Sequence, residues 1–203
     1  MSSTDIEVVI LIPGYVTASS PGKIRASCTM TLIKGPEPVL VDTGVPSQNS
    51  EIVAKLAEHH LAPGDIRHVI LTHGHSDHVG NNSLFPQATF LMDTDVSVGD
   101  EYWLHDFSQG PYHIGDRIRV IATPGHTDHD LSVLVETPLG VVAIAGDVFE
   151  YDGDWLDRAW EAWSKNPDRQ RQSRELLVRE AQFIVPGHGS MFDSPKWETL
   201  GNP

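Results

Sequence analysis

Four side chains that commonly bind metals occur within six positions, directly after a short apolar run. The run ends at Leu71, and the four ligands are His73, His75, Asp77 and His78. Imidazole and carboxylate groups are ligands that divalent zinc, manganese and iron accept in proteins. Four such groups cannot all point at one ion without severe crowding, whereas two adjacent metal sites would accommodate them. The alternative is a polar turn with histidines that cap a helix, which explains one histidine better than this group.

Three further apolar runs end in glycine or proline and are followed by a candidate ligand. The ligands are His126 after Pro124-Gly125, Asp147 after Gly146, and His188 after Pro186-Gly187. Proline restricts φ and glycine permits tight turns, so each strand end can present one side chain from a rigid element. Loops at one edge of a layered α/β domain lie close together. The sequence therefore predicts that these side chains converge on one site.

Apolar runs and turn residues alternate along the chain in the order expected for an α/β fold. Strands are predicted for 8–12, 26–33, 39–41, 69–71, 89–92, 118–122, 131–135, 141–145 and 183–185. Helices are predicted for 49–60, 78–85, 155–163 and 169–182. Residues 15–23 are rich in Ser, Pro and Gly and predict a loop. Residues 93–115 have no clean period and form either a substrate-side loop or a long connection packed on the body.

Composition bounds the class of protein. With 203 residues, 39% hydrophobic and 21% charged, the chain is predicted to form one domain over residues 1–203. Cys28 is the only cysteine, so no intrachain disulfide can form, and its apolar neighbours predict a buried core residue. No run approaches the roughly 18 apolar residues of a membrane span, and no basic segment precedes the first apolar run. A cytoplasmic location is therefore expected, and a nuclear one is left open.

The charge pattern bears on the partner. A net charge of −14 disfavours non-specific attraction to polyanions such as RNA. Residues 158–179 nevertheless carry six basic and three acidic side chains, and this stretch could contact phosphate. A solvated helix face is the alternative, because these charges surround an apolar stripe.

The order His73-x-His75-x-Asp77-His78, then His126, Asp147 and His188, resembles the metallo-β-lactamase superfamily over almost the whole chain. The resemblance implies an αββα sandwich with a dinuclear metal site at one edge. It assigns His73, His75 and His126 to the first metal, assigns Asp77, His78 and His188 to the second, and makes Asp147 the bridge. It also implies that Asp42, in Val41-Asp42-Thr43-Gly44, supports the metal loop from behind the ligands.

Two divalent ions explain how such a site would act. Zinc is expected first, with iron or manganese as alternatives, since His and Asp accept all three. A hydroxide shared by two metals is a nucleophile near neutral pH, because metal binding lowers the pKa of water from about 15.7 to about 7. We expect a metal-dependent hydrolase in which Asp77 and Asp147 hold the metals and orient the hydroxide.

The proton donor to the leaving group is less well defined. His129, one turn beyond His126, is the candidate, because imidazole transfers protons near neutral pH, and a surface histidine is the alternative. Four weaker candidates have nothing in the sequence that places them in the cleft; they are Tyr102, His105, His113 and Tyr151.

The substrate is open between two classes. Within the superfamily, the resemblance carried by residues 72–81, 145–150 and 185–189 implies RNA phosphodiester cleavage of the kind that forms histone pre-mRNA 3′ ends. The acidic charge and compact length fit a small ester, thioester, lactone or β-lactam better. A non-catalytic metal-binding module is the third hypothesis, and tight metal binding without turnover would distinguish it. The expected partner is thus RNA or a small molecule, without a membrane, and the oligomeric state is open, a homodimer included.

Overall fold

The computed structural model describes residues 6–156 and 158–195, and strands dominate these ranges. The strands are β1 (Glu7–Ile12), β2 (Tyr15–Ser20), β3 (Lys23–Ser27), β4 (Met30–Lys34), β5 (Val39–Val41), β6 (His68–Ile70), β7 (Thr89–Met92), β8 (Asp95–Val98), β9 (Glu101–Leu104), β10 (Tyr112–Ile114), β11 (Ile118–Ala122), β12 (Leu131–Thr137), β13 (Gly140–Gly146), β14 (Phe183–Pro186) and β15 (Phe192–Asp193). The α-helices are α1 (Asn49–Glu58) and α2 (Pro167–Glu180). Short 3₁₀ helices span Pro46–Gln48, Pro63–Asp65, Asn82–Leu84, Phe107–Gln109 and Ala159–Ala162.

The strands form two mixed sheets and a separate hairpin. The seven-stranded sheet has the order β1-β4-β5-β6-β7-β8-β9, and the six-stranded sheet has the order β10-β11-β12-β13-β14-β15. Strands β5, β6 and β7 run parallel, as do β13 and β14, so the loops that follow strands of one parallel set leave from the same edge. Strands β2 and β3 pair with each other in a two-stranded sheet of their own.

Apolar contacts define four layers. The cluster between the two sheets joins Val41 and Ile70 of the first sheet to Val133 and Ile144 of the second. On the outer face of the first sheet, Ile52 and Leu56 of α1 pack with Leu32, Leu40 and Val69. On the outer face of the second, Leu177 and Val178 of α2 pack with Leu134, Ala143 and Ile184. This arrangement is the αββα sandwich, and the predicted fold class is confirmed.

Two predictions at the N-terminal end were wrong. Residues 26–33 are not one strand, because the ladder breaks at Cys28-Thr29 between β3 and β4. The Thr29 backbone N–H donates to Gly187 O at 2.6 Å and its hydroxyl donates to Gly189 O at 2.9 Å, so Thr29 bonds to the 187–189 loop. Residues 15–23 are not a loop either, since β2 pairs with β3.

Two predicted helices are also corrected. Residues 78–85 contain only the 3₁₀ turn Asn82–Leu84. The Gly80 N–H donates to Gly44 O at 2.8 Å, and the Asn81 side chain donates to Thr43 O and Val45 O, so this segment is bonded to the loop after β5. The 155–163 segment contains the 3₁₀ helix Ala159–Ala162, and residue 157 lies outside the described residues.

The remaining helices and strands lie close to their predicted bounds, and Cys28 is fully buried as predicted. Residues 93–115 form strands β8, β9 and β10 rather than a structureless loop. The His105 ring packs edge-on against Phe107 and Tyr112, which supports the packed alternative for this part of the segment. In the ranges 6–156 and 158–195, neither helix combines the length and hydropathy that crossing a bilayer requires. The single domain over 1–203 and the cytoplasmic location stay predictions.

Candidate metal centre

The candidate ligands lie in loops that follow four strands and meet at one edge of the sandwich. The loops follow β6, β11, β13 and β14. Backbone hydrogen bonds fix them together: Leu131 N–H donates to Thr72 O at 2.8 Å, and His188 N–H donates to Glu150 O at 2.8 Å. Gly187 is required by this packing, because a Cβ there would lie 1.8 Å from Asp147 Oδ1. The Pro-Gly that precedes His188 therefore lets two ligand loops touch.

Three imidazoles and one carboxylate oxygen form the first ligand group. His75 Nδ1 lies 2.9 Å from His73 Nε2 and 3.1 Å from His126 Nε2. Asp147 Oδ2 lies 3.6 Å from His73 Nε2 and 3.3 Å from His126 Nε2. Tetrahedral ligands about 2.0–2.2 Å from one zinc ion are separated by roughly 3.3–3.6 Å. The two Asp147 distances lie in this range, and the two distances between histidine nitrogens are shorter, so the four atoms are close enough together to share one cation after a small adjustment.

The second ligand group uses the other oxygen of Asp147. Asp147 Oδ1 lies 3.2 Å from His78 Nε2 and 3.5 Å from His188 Nε2. Asp77 Oδ2 completes the group, 4.0 Å from His78 Nε2 and 3.9 Å from His188 Nε2. Asp147 thus presents one carboxylate oxygen to each group, as a bridging ligand would.

Asp42 supports this arrangement from behind the ligands. Its carboxylate accepts hydrogen bonds from the Thr72 N–H and hydroxyl, each at 2.8 Å, and lies 2.8 Å from His78 Nδ1. Asp42 has φ of 62°, a left-handed conformation that Asp adopts more readily than most residues. The ligand loop and the His78 ring are therefore oriented by one buried carboxylate.

Two buried polar atoms in the ligand groups form no hydrogen bond in the part of the chain that the structure describes, as expected for atoms that bind cations. Within the described residues, His78 Nε2 and Asp147 Oδ1 are buried and form no hydrogen bond, although they lie 3.2 Å apart. Leaving such groups unpaired away from water costs about 1–3 kcal/mol each. Divalent cations at the two groups would satisfy these atoms, and the donor set of imidazole and carboxylate is the one zinc, iron and manganese accept.

Burial and neighbouring charges shift the pKa values of several histidines in the two ligand groups. Burial lowers the pKa of His73 and of His126, with further lowering at His73 from the charge of His78. Burial also opposes protonation of His78 and His188. This effect is outweighed at His78 by the negative charges of Asp147 and Asp42, and at His188 by the hydrogen bond and charge of Asp147. The pKa of His78 is therefore well above its ordinary value, and that of His188 rises to about 9. A cation would have to displace protons from these two rings.

A cleft of about 260 Å³ opens over the two groups. Seven of its lining residues come from the β2-β3 hairpin and the 151–163 segment and are apolar or aromatic; they are Val16, Ile24, Ala26, Tyr151, Ala159, Trp160 and Trp163. Asp77, Asp147 and Glu150 bring carboxylates to the same cleft. The site can therefore hold a reacting polar group against the cations and an apolar group beside it.

The structure brings together most of the sequence-predicted residues. These are Asp42, His73, His75, Asp77, His78, His126, Asp147 and His188. His129 is not among them, because its side chain is 66% exposed and pairs with Asp93 Oδ1 at 3.1 Å. The geometry gives its proposed proton transfer no support. Of the weaker candidates, Tyr151 lines the cleft, whereas Tyr102, His105 and His113 are absent from the lining.

Sequence reasoning missed Glu150 and the apolar walls. Glu150 is 8% exposed, and its Oε1 lies 3.5 Å from His126 Nδ1. Burial, reinforced by the charge of Asp147, raises the pKa of Glu150 to about 8. Its position three residues after Asp147 was the available signal, since a turn after β13 places both side chains on one side. No comparable pattern pointed to Trp160 or the hairpin.

The basic stretch 158–179 is largely engaged in ion pairs. Glu161 pairs with Arg158 at 2.6 Å and with Arg171 at 2.9 Å, and Lys165 pairs with Asp128. Arg174 is buried against Asp154. These contacts favour the solvated-face alternative over an extended phosphate-binding track.

Comparison with known proteins identifies the family. A family model described as the metallo-β-lactamase superfamily matches residues 25–188. The chain belongs to this superfamily. Metallo-β-lactamase domain-containing protein 1 of Xenopus laevis is 43% identical over 91% of the chain and 80% of that protein. The Homo sapiens protein of the same name is 39% identical over 96% of the chain and 87% of that protein.

A solved structure of a quorum-quenching N-acyl homoserine lactone lactonase shares the fold. It superposes with a TM-score of 0.64 at 18% identity and covers 93% of this chain and 92% of the lactonase. The predicted resemblance is confirmed, and this superfamily member is a metal-dependent hydrolase with a His/Asp cluster suited to metal binding.

Proposed function

We propose that this protein is a dinuclear metal-dependent hydrolase that acts on small ester, thioester or lactone substrates with an apolar substituent. The observation that carries the proposal is the Asp147 carboxylate, whose two oxygens face two separate ligand groups. His73, His75 and His126 would hold one cation, and Asp77, His78 and His188 the other. Zinc is proposed first, because imidazole nitrogen and carboxylate oxygen are among its preferred ligands.

The bound cations and the side chains of the protein would have separate roles in hydrolysis. Two bound divalent cations would lower the pKa of water in the site and polarise the bond to be cleaved. Asp77 and Asp147 line the cleft and would accept hydrogen bonds from the attacking water, which orients it. Asp42 holds the His78 ring and the 72–73 backbone in place. Apolar and aromatic side chains line the rest of the cleft.

The cleft supports a substrate with an apolar part. Ile24, Trp160 and Trp163 bring aliphatic and aromatic surface to the cleft that the ligand groups share. Burying an apolar substituent there contributes roughly 25 cal/mol per Å² removed from water. The paired arginines of 158–171 and the net charge of −14 leave little attraction for a long polyanion.

RNA phosphodiester cleavage is the second candidate, because the mouth of the cleft has a feature that suits a nucleotide. Trp163 is 57% exposed and lines a shallow groove together with Lys23. An exposed indole can stack on a base, and a nearby ammonium group attracts phosphate. The family resemblance that implied RNA cleavage agrees with this candidate.

A substrate panel tests the proposal. Purified protein is analysed for metal content and then assayed on a thioester, a lactone, a β-lactam and single-stranded RNA, each with and without chelator. We expect chelator-sensitive turnover of the small acyl substrates, restored by added zinc, with RNA cleaved slowly or not at all. RNA turnover alone would select the second candidate. Two bound metals without turnover of any substrate would select a non-catalytic module and refute the hydrolase proposal.

A further inference from the structure

The ring nitrogens that face away from the ligand groups have hydrogen-bond partners in three of the buried histidines. His73 Nδ1 lies 3.2 Å from Thr72 Oγ1, His78 Nδ1 lies 2.8 Å from Asp42 Oδ2, and His188 Nδ1 lies 3.0 Å from Ser27 O. His126 is different: its Nδ1 is buried, and no hydrogen bond to it is formed within the described residues. An imidazole that donates Nε2 electrons to a cation must carry its proton on Nδ1, so this nitrogen needs an acceptor.

Glu150 faces this nitrogen. Its Oε1 lies 3.5 Å from His126 Nδ1 and is itself buried without a hydrogen bond among the described residues. Besides Asp147, which faces the other ring nitrogen, the carboxylate close to His126 is Asp130, and Asp130 is already engaged. It accepts from the backbone N–H groups of Gly125 and Thr127 and from the Thr127 hydroxyl. Glu150 is therefore the acceptor that a small side-chain rotation would bring within hydrogen-bond distance.

The backbone holds Glu150 in this place. Its N–H donates to Asp154 Oδ2 at 2.7 Å, and its C=O accepts from the His188 N–H at 2.8 Å. Asp154 is in turn paired with Arg174 in the interior. A carboxylate presented from such a braced turn has few alternative positions, which suits a group that orients another side chain.

We propose that Glu150 is a positioning residue for His126. Its carboxylate accepts a hydrogen bond from the His126 Nδ1–H and fixes the tautomer in which Nε2 faces the ligand group of His73 and His75. The inference rests on the proposed function, because it gives His126 a role in holding a cation. Removal of a comparable acceptor behind a metal ligand typically lowers metal affinity by about 10–100-fold.

The test compares Glu150→Ala and Glu150→Gln with the wild type. Glu136→Ala, at an exposed position on β12, is the matched control. Zinc affinity is measured by competition with a chromophoric chelator, and the ring nitrogens of His126 are observed by ¹⁵N NMR. We expect Glu150→Ala to weaken the affinity for one of two cations by about 10–100-fold and to move the His126 Nδ1 resonance. Glu150→Gln keeps a neutral acceptor, so it should restore most of the affinity, with an Nδ1 shift between the other two.

Wild-type affinity for both cations with an unchanged His126 spectrum in Glu150→Ala would overturn the proposal. Loss of the cation at His78 and His188 while His126 is unchanged would also overturn it, since Glu150 would then be a direct ligand. If Glu150→Ala fails to fold, an unmoved Nδ1 resonance in Glu150→Gln overturns it equally. None of these measurements requires turnover, so a wild type that binds two cations and hydrolyses nothing refutes only the proposed function.

Discussion

The ion pair between Arg174 and Asp154 should be among the most costly to break in this protein. Both side chains are at most 3% exposed, and the guanidinium contacts both carboxylate oxygens. Arg174 also donates to Val148 O at 3.2 Å, and its guanidinium carbon lies 4.2 Å from the Phe149 ring centroid. We therefore expect Arg174→Met to remove the cation that pairs with the buried Asp154 carboxylate. Removing one partner of such a pair costs about 3–5 kcal/mol.

The free energy of unfolding is measured by urea denaturation, followed by tryptophan fluorescence and far-UV circular dichroism. For a chain of this length, about 3–5 kcal/mol corresponds to a fall in melting temperature of roughly 6–20 °C. Arg179→Met on the same helix is the control, because its side chain is 60% exposed and lies 4.0 Å from Glu175. That variant should change stability by no more than about 0.5 kcal/mol.

A double-mutant cycle isolates the pair. Asp154→Asn alone should also destabilise, whereas the double variant should lose less than the sum of the two single variants. The reasoning would be refuted if Arg174→Met matched the Arg179→Met control, or if the two single changes were additive. The second result would mean that the stability comes from the aromatic contacts of Arg174 with Phe149 and Trp160 rather than from its charge.

Three further predictions concern the metal centre. Asp147→Ala and His75→Ala should each abolish hydrolysis with an unchanged circular dichroism spectrum. Atomic emission should show both cations lost from the first variant and one from the second, and full activity in either variant would contradict the assignment. Gly187→Ala should displace the Asp147 carboxylate and lower metal content, whereas Gly64→Ala, which has open space around it, should bind metal normally. The protonated His188 ring stabilises the metal-free fold fully below its unfolded pKa near 6.5, and this stabilisation is lost as pH rises through about 9. Zinc affinity should therefore rise between pH 7 and 9, with proton release measurable by calorimetry, and a constant affinity would contradict this.

The candidate metal ligands could be recognised because each lies in a short segment of sequence directly after a predicted strand. His126, Asp147 and His188 each follow an apolar run and a Gly or Pro turn, and His73 follows the run that ends at Leu71. Loops at the ends of strands in a layered α/β domain lie close together. His73 and Asp147 are 74 positions apart, and this rule predicted that they lie together; their side chains are 3.6 Å apart in the structure, and their roles as metal ligands stay predictions. The fold class followed from the same alternation of strands and helices.

The misplaced segments are those in which side chains bond across the sequence. Thr29 interrupts the predicted strand because it bonds to residues near position 188. The predicted helix at 78–85 does not form, and Asn81 bonds instead to the loop after β5. These partners are more than 30 residues away, so no local sequence pattern predicts the contacts. The loop prediction for residues 15–23 was wrong for the opposite reason. The Ser, Pro and Gly residues are typical of the hairpin turn, and they obscure the strand pattern of the residues that pair on either side of it.

The charge of the chain and the charge of its site point to different partners. Asp42, Asp77, Asp147 and Glu150 place four carboxylates within the metal centre and its support, and two divalent cations would add four positive charges there. The site itself would then be close to neutral, and most of the remaining negative charge lies elsewhere on the chain. A long polyanion must cross that surface, whereas a small substrate meets only the cleft, lined by Ile24, Trp160 and Trp163. Substrate selection should therefore depend more on the negatively charged surface around the cleft and on the apolar lining of the cleft than on the metal ligands.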